Sequence, residues 1–411
     1  MTTSIRHAAG SLLVVGVVGT ELTGLERVWL RLVRPGGVIL FRRNIADVAQ
    51  TRSLLEETTS LCVPRALRCV DLEGGTVDRL RDALAPMPAA QLVARADAAS
   101  RYPTHSQKAR MDGAPSFPTL ATEKNRKDGA RKLFAYQHGE LIARGVKAFG
   151  FNVTLAPVLD LALKDSAQVM GTRSTGATAE EVVSFARPFL AGLAAGGVAG
   201  CGKHFPGLGG GTRDSHFETP AIDRMWSEMW TEDIAPYRTL RDELPMVMVN
   251  HAAYPRTPGK DRPATASRFW IAEVLRRRIG YRGLIFSDDM EMGGILKFLP
   301  MEEAAVAAIR AGMDMVEICH SAELILRAYE ALVTESERSS AFRAVLLKRA
   351  SEAAKRRAQI VPAQAPRALT AKQYDALRAR ILGFRERVLA LAGEGDSTLP
   401  ESVLKPVVET A

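Results

Sequence analysis

Long apolar runs are missing from this chain. The longest uninterrupted candidate, "LLVVGVV" at Leu12–Val18, has seven residues, far short of the roughly 18 to 20 needed to span a bilayer. Integral membrane insertion is therefore not expected. The same run follows Arg6 and His7, but "GTELTGLERVWLRL" after it offers no small-residue cleavage site. It continues at once into a helical pattern with Thr20 as a candidate N-cap, so the run reads as an internal strand and the expected location is the cytoplasm. Cysteine is also scarce. Cys62, Cys69, Cys201 and Cys319 are too few and too scattered for a disulfide framework, and none makes the C-x-x-C spacing of a zinc or redox site. Buried reduced thiols are the simple expectation. Charge of one sign is missing from most of the chain as well. The formal net charge is +9, but from Arg338 onward 14 Lys/Arg face 7 Asp/Glu, so +7 of it belongs to the tail. No basic stretch is interleaved with aromatic residues, and nucleic acid is not an expected partner.

What the sequence has is a regular series of short apolar runs: 12–18, 37–41, 67–72, 151–156, 197–202, 246–250, 283–287 and 314–318. They are continuous rather than alternating, as parallel strands buried on both faces should be. Helix-like segments such as "AEEVVSFARPFLAGLAAG" and "RFWIAEVLRRRIG" lie between them, the latter ending at Gly280 where a helix stop is expected. Eight such alternations predict an α/β chain folded as a (β/α)8 TIM-type barrel over residues 1–335, with a basic helical C-terminal extension over 336–411. Residues 98–127 carry three prolines and little periodicity, and read as one long loop before a helix starting near Asp128.

Polar residues recur where the predicted strands end: Arg42–Asn44, Asp71 and Glu73, Asp160, Lys203 and His204, His251, Asp288 and Asp289, and His320. In a barrel those ends share one face, where chemistry is built. "KHFPGLGGGTRDSH", Lys203–His216, is the densest such stretch. In an extended segment Asp214 and His216 point the same way, so the carboxylate can accept the imidazole proton and orient the ring as a general acid and base. Asp288 or Asp289 could then supply a carboxylate nucleophile or electrostatic stabiliser. A proton-shuttling histidine, an ionised carboxylate and a ring of Asp, Arg and Lys suit cleavage of a glycosidic bond.

The motifs "GGVILFRRN", "DLEGGTVDRL", "NVTLAPVLDLAL", "GTRS", "KHFPGLGGGTRDSH", "ETPAIDR" and "GLIFSDDMEMGGI" resemble glycoside hydrolase family 3 in their joint order and spacing. The likeness is to the family's β-N-acetylglucosaminidase branch, whose bacterial members act in peptidoglycan recycling. It covers most of residues 10–335 and itself implies a barrel. It implies Asp288 as nucleophile and His216 as acid/base with Asp214 as its orienting partner. Asp71, Arg79, Arg173, Lys203 and His204 are implied as substrate-binding residues. It implies no metal and no organic cofactor, a carbohydrate substrate, possible muropeptide aglycones, and nothing about oligomeric state. The chain departs from many relatives at Leu208, where they carry histidine, and lacks the second large domain of the family's multidomain glucosidases.

The alternatives are a β-glucosidase-type or phosphorolytic enzyme of the same family, a metal hydrolase using His204, Asp214, His216 and His251, and a non-catalytic sugar-binding barrel. His251 reads equally as a site residue or a satisfied strand-end histidine. Glu73 reads as the anchor of the "EGG" turn, Asp289 as support for its neighbour or a cap for the next helix, and His105, His138 and His320 as structural.

Overall fold

The computed structural model describes residues 4–101, 133–211, 220–260, 262–362 and 366–393. Eight parallel strands close into a barrel: β1 Leu13–Val15, β2 Gly37–Leu40, β3 Leu67–Val70, β4 Val153–Thr154, β5 Ala199–Phe205, β6 Met246–Val249, β7 Leu284–Asp289 and β8 Met315–Ile318. Each strand pairs with its neighbours in sequence, and β1 pairs with β8 to close the ring. The predicted (β/α)8 architecture is the observed one, and every predicted strand is present. The strands are built mainly from apolar residues because both faces are covered, one by the barrel interior and one by helices. Among the described residues no helix is long and apolar enough to cross a membrane, and all four cysteines are buried free thiols.

Several boundaries differ from expectation in ways that bear on the site. β5 continues to Phe205 and β7 to Asp289, so Lys203, His204, Asp288 and Asp289 belong to the strands themselves. The first outer helix is capped by Thr23 rather than Thr20. Thr23 Oγ1 accepts from the Glu26 amide at 3.1 Å while Glu26 Oε2 accepts from the Thr23 amide at 2.7 Å, a reciprocal box that satisfies two otherwise orphaned donors. Glu26 Oε1 also accepts from the Val18 amide at 2.8 Å, tying the end of β1 to the helix. Residues 98–101 complete the helix Ala90–Arg101 instead of opening a loop. The remainder of the proposed loop, with Asp128 and His105, lies outside the described residues, and the next described helix is Phe134–Ala148.

The tail forms two helices, Ser340–Ile360 and Ala371–Ala392. Its basic residues are partly consumed by the barrel. Asp314, fully buried just before β8, accepts from Arg356 at 2.7 Å and lies 3.4 Å from Arg349, and it pairs with Arg276 as well. Arg357 donates to the Ser11 carbonyl at 2.8 Å. The helix Ala371–Ala392 packs on helices Ala90–Arg101 and Phe134–Ala148. There the ring of His138 sits among Phe189, Phe384 and Phe185 at 5.5, 6.0 and 6.3 Å.

Candidate active site

The site grows from the C-terminal ends of β3, β4, β5 and β7. Immediately after β3, Asp71 leads into a two-stranded antiparallel ribbon, Leu72–Gly74 with Val77–Asp78. The turn requires glycine for two reasons at once. Gly74 and Gly75 have φ of +93° and +65°, and a Cβ on Gly74 would lie 2.2 Å from the Pro88 carbonyl oxygen. The turn therefore packs flush against the following segment and holds Glu73 over the barrel mouth.

Glu73 is not merely the turn's anchor. Its carboxylate receives both arms of the Arg173 guanidinium at 2.9 Å, and the Lys203 ammonium lies 2.6 Å away. Lys203 also donates to Asp71 Oδ1 at 2.7 Å. Burial alone would raise the Glu73 pKa, but the charges and hydrogen bonds of Arg173 and Lys203 outweigh it and hold the carboxyl well below the usual range. The cations respond in the same sense. Burial opposes their charge, yet Asp71 and Glu73 raise Lys203, and Glu73 with Asp71 raises Arg173. Glu73, Arg173 and Lys203 are thus held in their charged forms, and each of the four groups is fixed by at least one of the others.

His204 is held by Asp160 from the loop after β4. Asp160 Oδ2 lies 2.6 Å from His204 Nδ1 and accepts from the His204 amide at 3.1 Å, while Oδ1 accepts from the Leu208 amide at 2.7 Å. With Nδ1 committed to the carboxylate, Nε2 faces Arg173 at 3.4 Å. Leu208 therefore contributes its backbone to Asp160, and its side chain is buried in the core. Asn250 and Tyr254 secure the same turn from β6: Asn250 Nδ2 donates to the His204 carbonyl and Tyr254 Oη to the Gly207 carbonyl, both at 2.9 Å.

Asp288 stands at the end of β7, half-buried, with its Oδ1 accepting from the Asp289 amide at 3.0 Å. Asp71 follows the C-terminal end of β3 and Asp288 lies at that of β7, and because the strands are parallel the two carboxylates share one mouth of the barrel. His251 fixes the strand end from the side. Its Nε2 lies 2.9 Å from the Asp289 carbonyl and so must carry the proton, and Nδ1 lies 2.7 Å from Thr265 Oγ1. This histidine is satisfied and positions the Asp288–Asp289 segment. Asp289 accepts from the Glu291 amide at 3.0 Å and so caps the next turn. Burial first, then the charges of Glu291 and Asp288, push its pKa up to about 7.

Glu317, inside β8, was not foreseen. It is buried, accepts from the Cys319 thiol at 3.2 Å, and burial followed by the charges of Asp289 and Asp71 pushes its pKa well up. A glutamate inside the apolar run "DMVEI" was the available signal. Arg79 lies with its guanidinium over the Phe41 ring at 5.7 Å, beside His320, whose ring centroid is 5.2 Å from that of Phe41. Burial, then Arg43 and Arg79, push the His320 pKa down to about 4. Asn44 is structural, its amide spanning the Val17 and Gly19 carbonyls at 2.9 Å each.

Asp71, Arg173, Lys203 and His204 are thus brought into one network, with Asp288 at the same mouth and Arg79 at its edge. Asp214 and His216 lie outside the described residues. The chain on either side of them is anchored at this face: Leu208 by Asp160, and Pro220 by its carbonyl, which accepts from the Ala253 amide at 2.9 Å just beyond β6. Of the imagined metal ligands, His204 and His251 already spend ring nitrogens on Asp160, Thr265 and Asp289. Among the described residues one group of three has ligand atoms within 4.8 Å of one another, Asp289, Cys319 and His320, and burial holds its thiol protonated.

Comparison with known proteins agrees with this architecture. A β-hexosaminidase of Idiomarina loihiensis is 32% identical over 331 residues, spanning 80% of this chain and 90% of that protein. A solved family 3 β-N-acetylglucosaminidase from Paenibacillus sp. superposes with a TM-score of 0.75 at 28% identity, over 93% of this chain and 69% of that one. NagZ from Neisseria gonorrhoeae, solved with N-trifluoroacetyl-D-glucosamine, superposes with a TM-score of 0.64 at 30% identity, over 84% of this chain and 98% of its own. Residues 5–345 match the model of the glycosyl hydrolase family 3 N-terminal domain, and with that match the chain belongs to glycosyl hydrolase family 3.

Proposed function

We propose that the chain is a retaining β-N-acetylhexosaminidase that releases terminal β-linked N-acetylglucosamine, with peptidoglycan-derived fragments in the cytoplasm as its natural substrates. The observation that carries this reading is the fixed lattice of Asp71, Glu73, Arg173, Lys203 and His204, with Asp288 at the same C-terminal mouth of the barrel. It is a hydrogen-bonded set of donors and acceptors suited to sugar hydroxyls, at the barrel mouth where a strand-end carboxylate also emerges. The β-hexosaminidase and N-acetylglucosaminidase relatives, and the glucosamine analogue bound by one of them, support the choice of sugar.

In the first step a carboxylate oxygen of Asp288 attacks the anomeric carbon. The bond to the leaving oxygen breaks as that oxygen takes the proton of His216, leaving a glycosyl ester on Asp288. In the second, water attacks the same carbon, its proton passes to His216, and Asp288 departs as a carboxylate. Asp214 would orient the imidazole. Asp71, Arg79, Arg173, Lys203 and His204 would hold the sugar, and because their positions are fixed before binding, the energy of those contacts is available to distort the ring.

The test is turnover of a chromogenic N-acetyl-β-glucosaminide beside the matching glucoside, with phosphate present and absent. Hydrolysis of the first with release of free sugar is expected, and Asp288→Asn should lower kcat by roughly 10³-fold or more without changing thermal stability much. Unchanged kcat in Asp288→Asn would overturn the mechanism. Sugar 1-phosphate as product would replace hydrolysis by phosphorolysis, and glycan binding without turnover would leave a binding barrel.

A further inference from the structure

The N-terminal mouth of the barrel, opposite Asp288, holds a cavity of about 490 Å³. Arg34, Arg65, Arg68 and Lys147 line it together with the hydroxyls of Thr59 and Ser60, and no Asp or Glu does so among the described residues. Arg34 precedes β2, Arg65 precedes β3, Arg68 lies within β3, and Lys147 closes the helix Phe134–Ala148.

Two of these arginines occupy backbone that a side chain disfavours. Arg34 and Arg65 have φ of +52° and +56°, and they are the two non-glycine residues with positive φ among those described. The chain uses glycine at nine other positive-φ positions, so the solution was within its means. The left-handed region costs free energy in any residue with a Cβ. A residue retained there at a cost points to a use for its side chain. The backbone role of Arg34, donating to the Leu30 carbonyl at the helix end at 2.8 Å, is one that glycine fills equally well.

The partners that these cations do have are neutral. Arg65 donates to the Ala358 carbonyl at 2.6 Å, and Arg68 to Thr59 Oγ1 at 2.8 Å and the Gly150 carbonyl at 3.4 Å. Beyond the cavity wall lies Arg357, 3% exposed, with one bond to the Ser11 carbonyl and no hydrogen-bond partner for Nε among the described residues. Burial pushes its pKa down to about 10 and lowers that of Arg68. The thiol of Cys62, on the cavity wall, senses Arg68, Arg357 and Arg34 together. Glu56, the carboxylate that Arg68 senses, is 3.9 Å from Arg52. Arg34 and Arg65 are exposed and Arg68 and Lys147 partly buried, so the cavity opens to water with Arg357 buried behind it, and it gathers positive charge with no carboxylate of its own among the described residues to balance it.

We propose that this cavity is a binding site for a compact phosphate-bearing anion, gripped by Arg34, Arg65, Arg68 and Lys147 with Thr59 and Ser60 as neutral donors. Its volume falls in the range of small-molecule sites, roughly 300 to 1,000 Å³. Guanidinium forks match phosphate oxygens two at a time. Val361, at the end of helix Ser340–Ile360, shares the wall, so the anion would fasten the C-terminal helix to β2 and β3 and raise stability as its concentration rises.

The probe is inorganic pyrophosphate, titrated calorimetrically into the full chain at constant ionic strength and followed by thermal denaturation. One saturable site and a concentration-dependent rise in Tm are expected. Arg34→Gly and Lys147→Met should each weaken binding about tenfold or more, with turnover of the chromogenic glycoside unchanged. Because glycine suits the Arg34 backbone, Arg34→Gly without ligand should melt at or above the parent temperature, which separates lost binding from lost fold. The proposal is overturned by the absence of a saturable site, by binding undiminished in both variants, or by association with anionic-lipid vesicles in place of pyrophosphate.

Discussion

His138 should make the chain sensitive to acid in a way that can be worked out in advance. The ring is fully buried among three phenylalanines, and among the described residues neither nitrogen has a hydrogen-bond partner. Burial therefore pushes its pKa down from 6.5 to about 3. The sign follows directly. A depressed folded pKa means that the unfolded chain binds the proton first, so the stability contribution is complete above 6.5 and drains away as pH falls toward the folded value. Between about pH 7.5 and pH 5 the folded ring stays neutral while the unfolded one charges. The loss is then set by the ordinary imidazole pKa and integrates to about 2 kcal/mol. That is a substantial part of a typical 5–15 kcal/mol. Urea unfolding of the parent chain and of His138→Leu at both pH values is the assay. The variant will have its own stability, but its change between the two pH values should be smaller by about 2 kcal/mol. Parallel pH dependences in the two proteins would refute the reasoning.

Lys203→Met should cost about 3 kcal/mol of stability by leaving Asp71 and Glu73 short of a buried cation, and should raise KM for the glycoside, read by denaturant melts and steady-state kinetics. Asp314→Ala should cost a similar amount, about 3 kcal/mol, because Arg276, Arg349 and Arg356 lose a shared partner, yet kcat per folded molecule should be unchanged. Gly74→Ala combines a backbone at φ +93° with a Cβ 2.2 Å from the Pro88 oxygen and should destabilise by about 2 kcal/mol or more, with activity falling faster than stability because Glu73 is displaced.

The strands were legible because burial on both faces writes itself as mainly apolar runs, and β1 to β8 each coincide with one. Their ends were less so. Lys203 and Asp288 are polar, and polarity alone suggests an exit from the core, although the strands run on past them after a shift of register. Thr20 and Thr23 both look like caps, and only the second has a glutamate three residues on to complete the box. Glu73 was read locally, as part of a turn, since its role depends on Arg173, a hundred residues away, and on Lys203 farther still. Glu317 was hidden in the same way, its neighbours arriving from β3 and β7. The tail's arginines read in sequence only as the charge of a basic helical extension. Arg349, Arg356 and Arg357 instead reach backbone and carboxylate groups at the foot of the barrel, which no periodicity within the tail reveals.

The grip of Asp160 on three donors has a consequence for how this enzyme can vary. One carboxylate, rooted beyond a neighbouring strand, clamps the chain at His204 and again at Leu208, four residues apart. The point from which the stretch bearing Asp214 and His216 departs is therefore set before that stretch begins. Its length and composition can drift without unsettling the sugar-holding lattice, whereas a single change at Asp160 would shift both together.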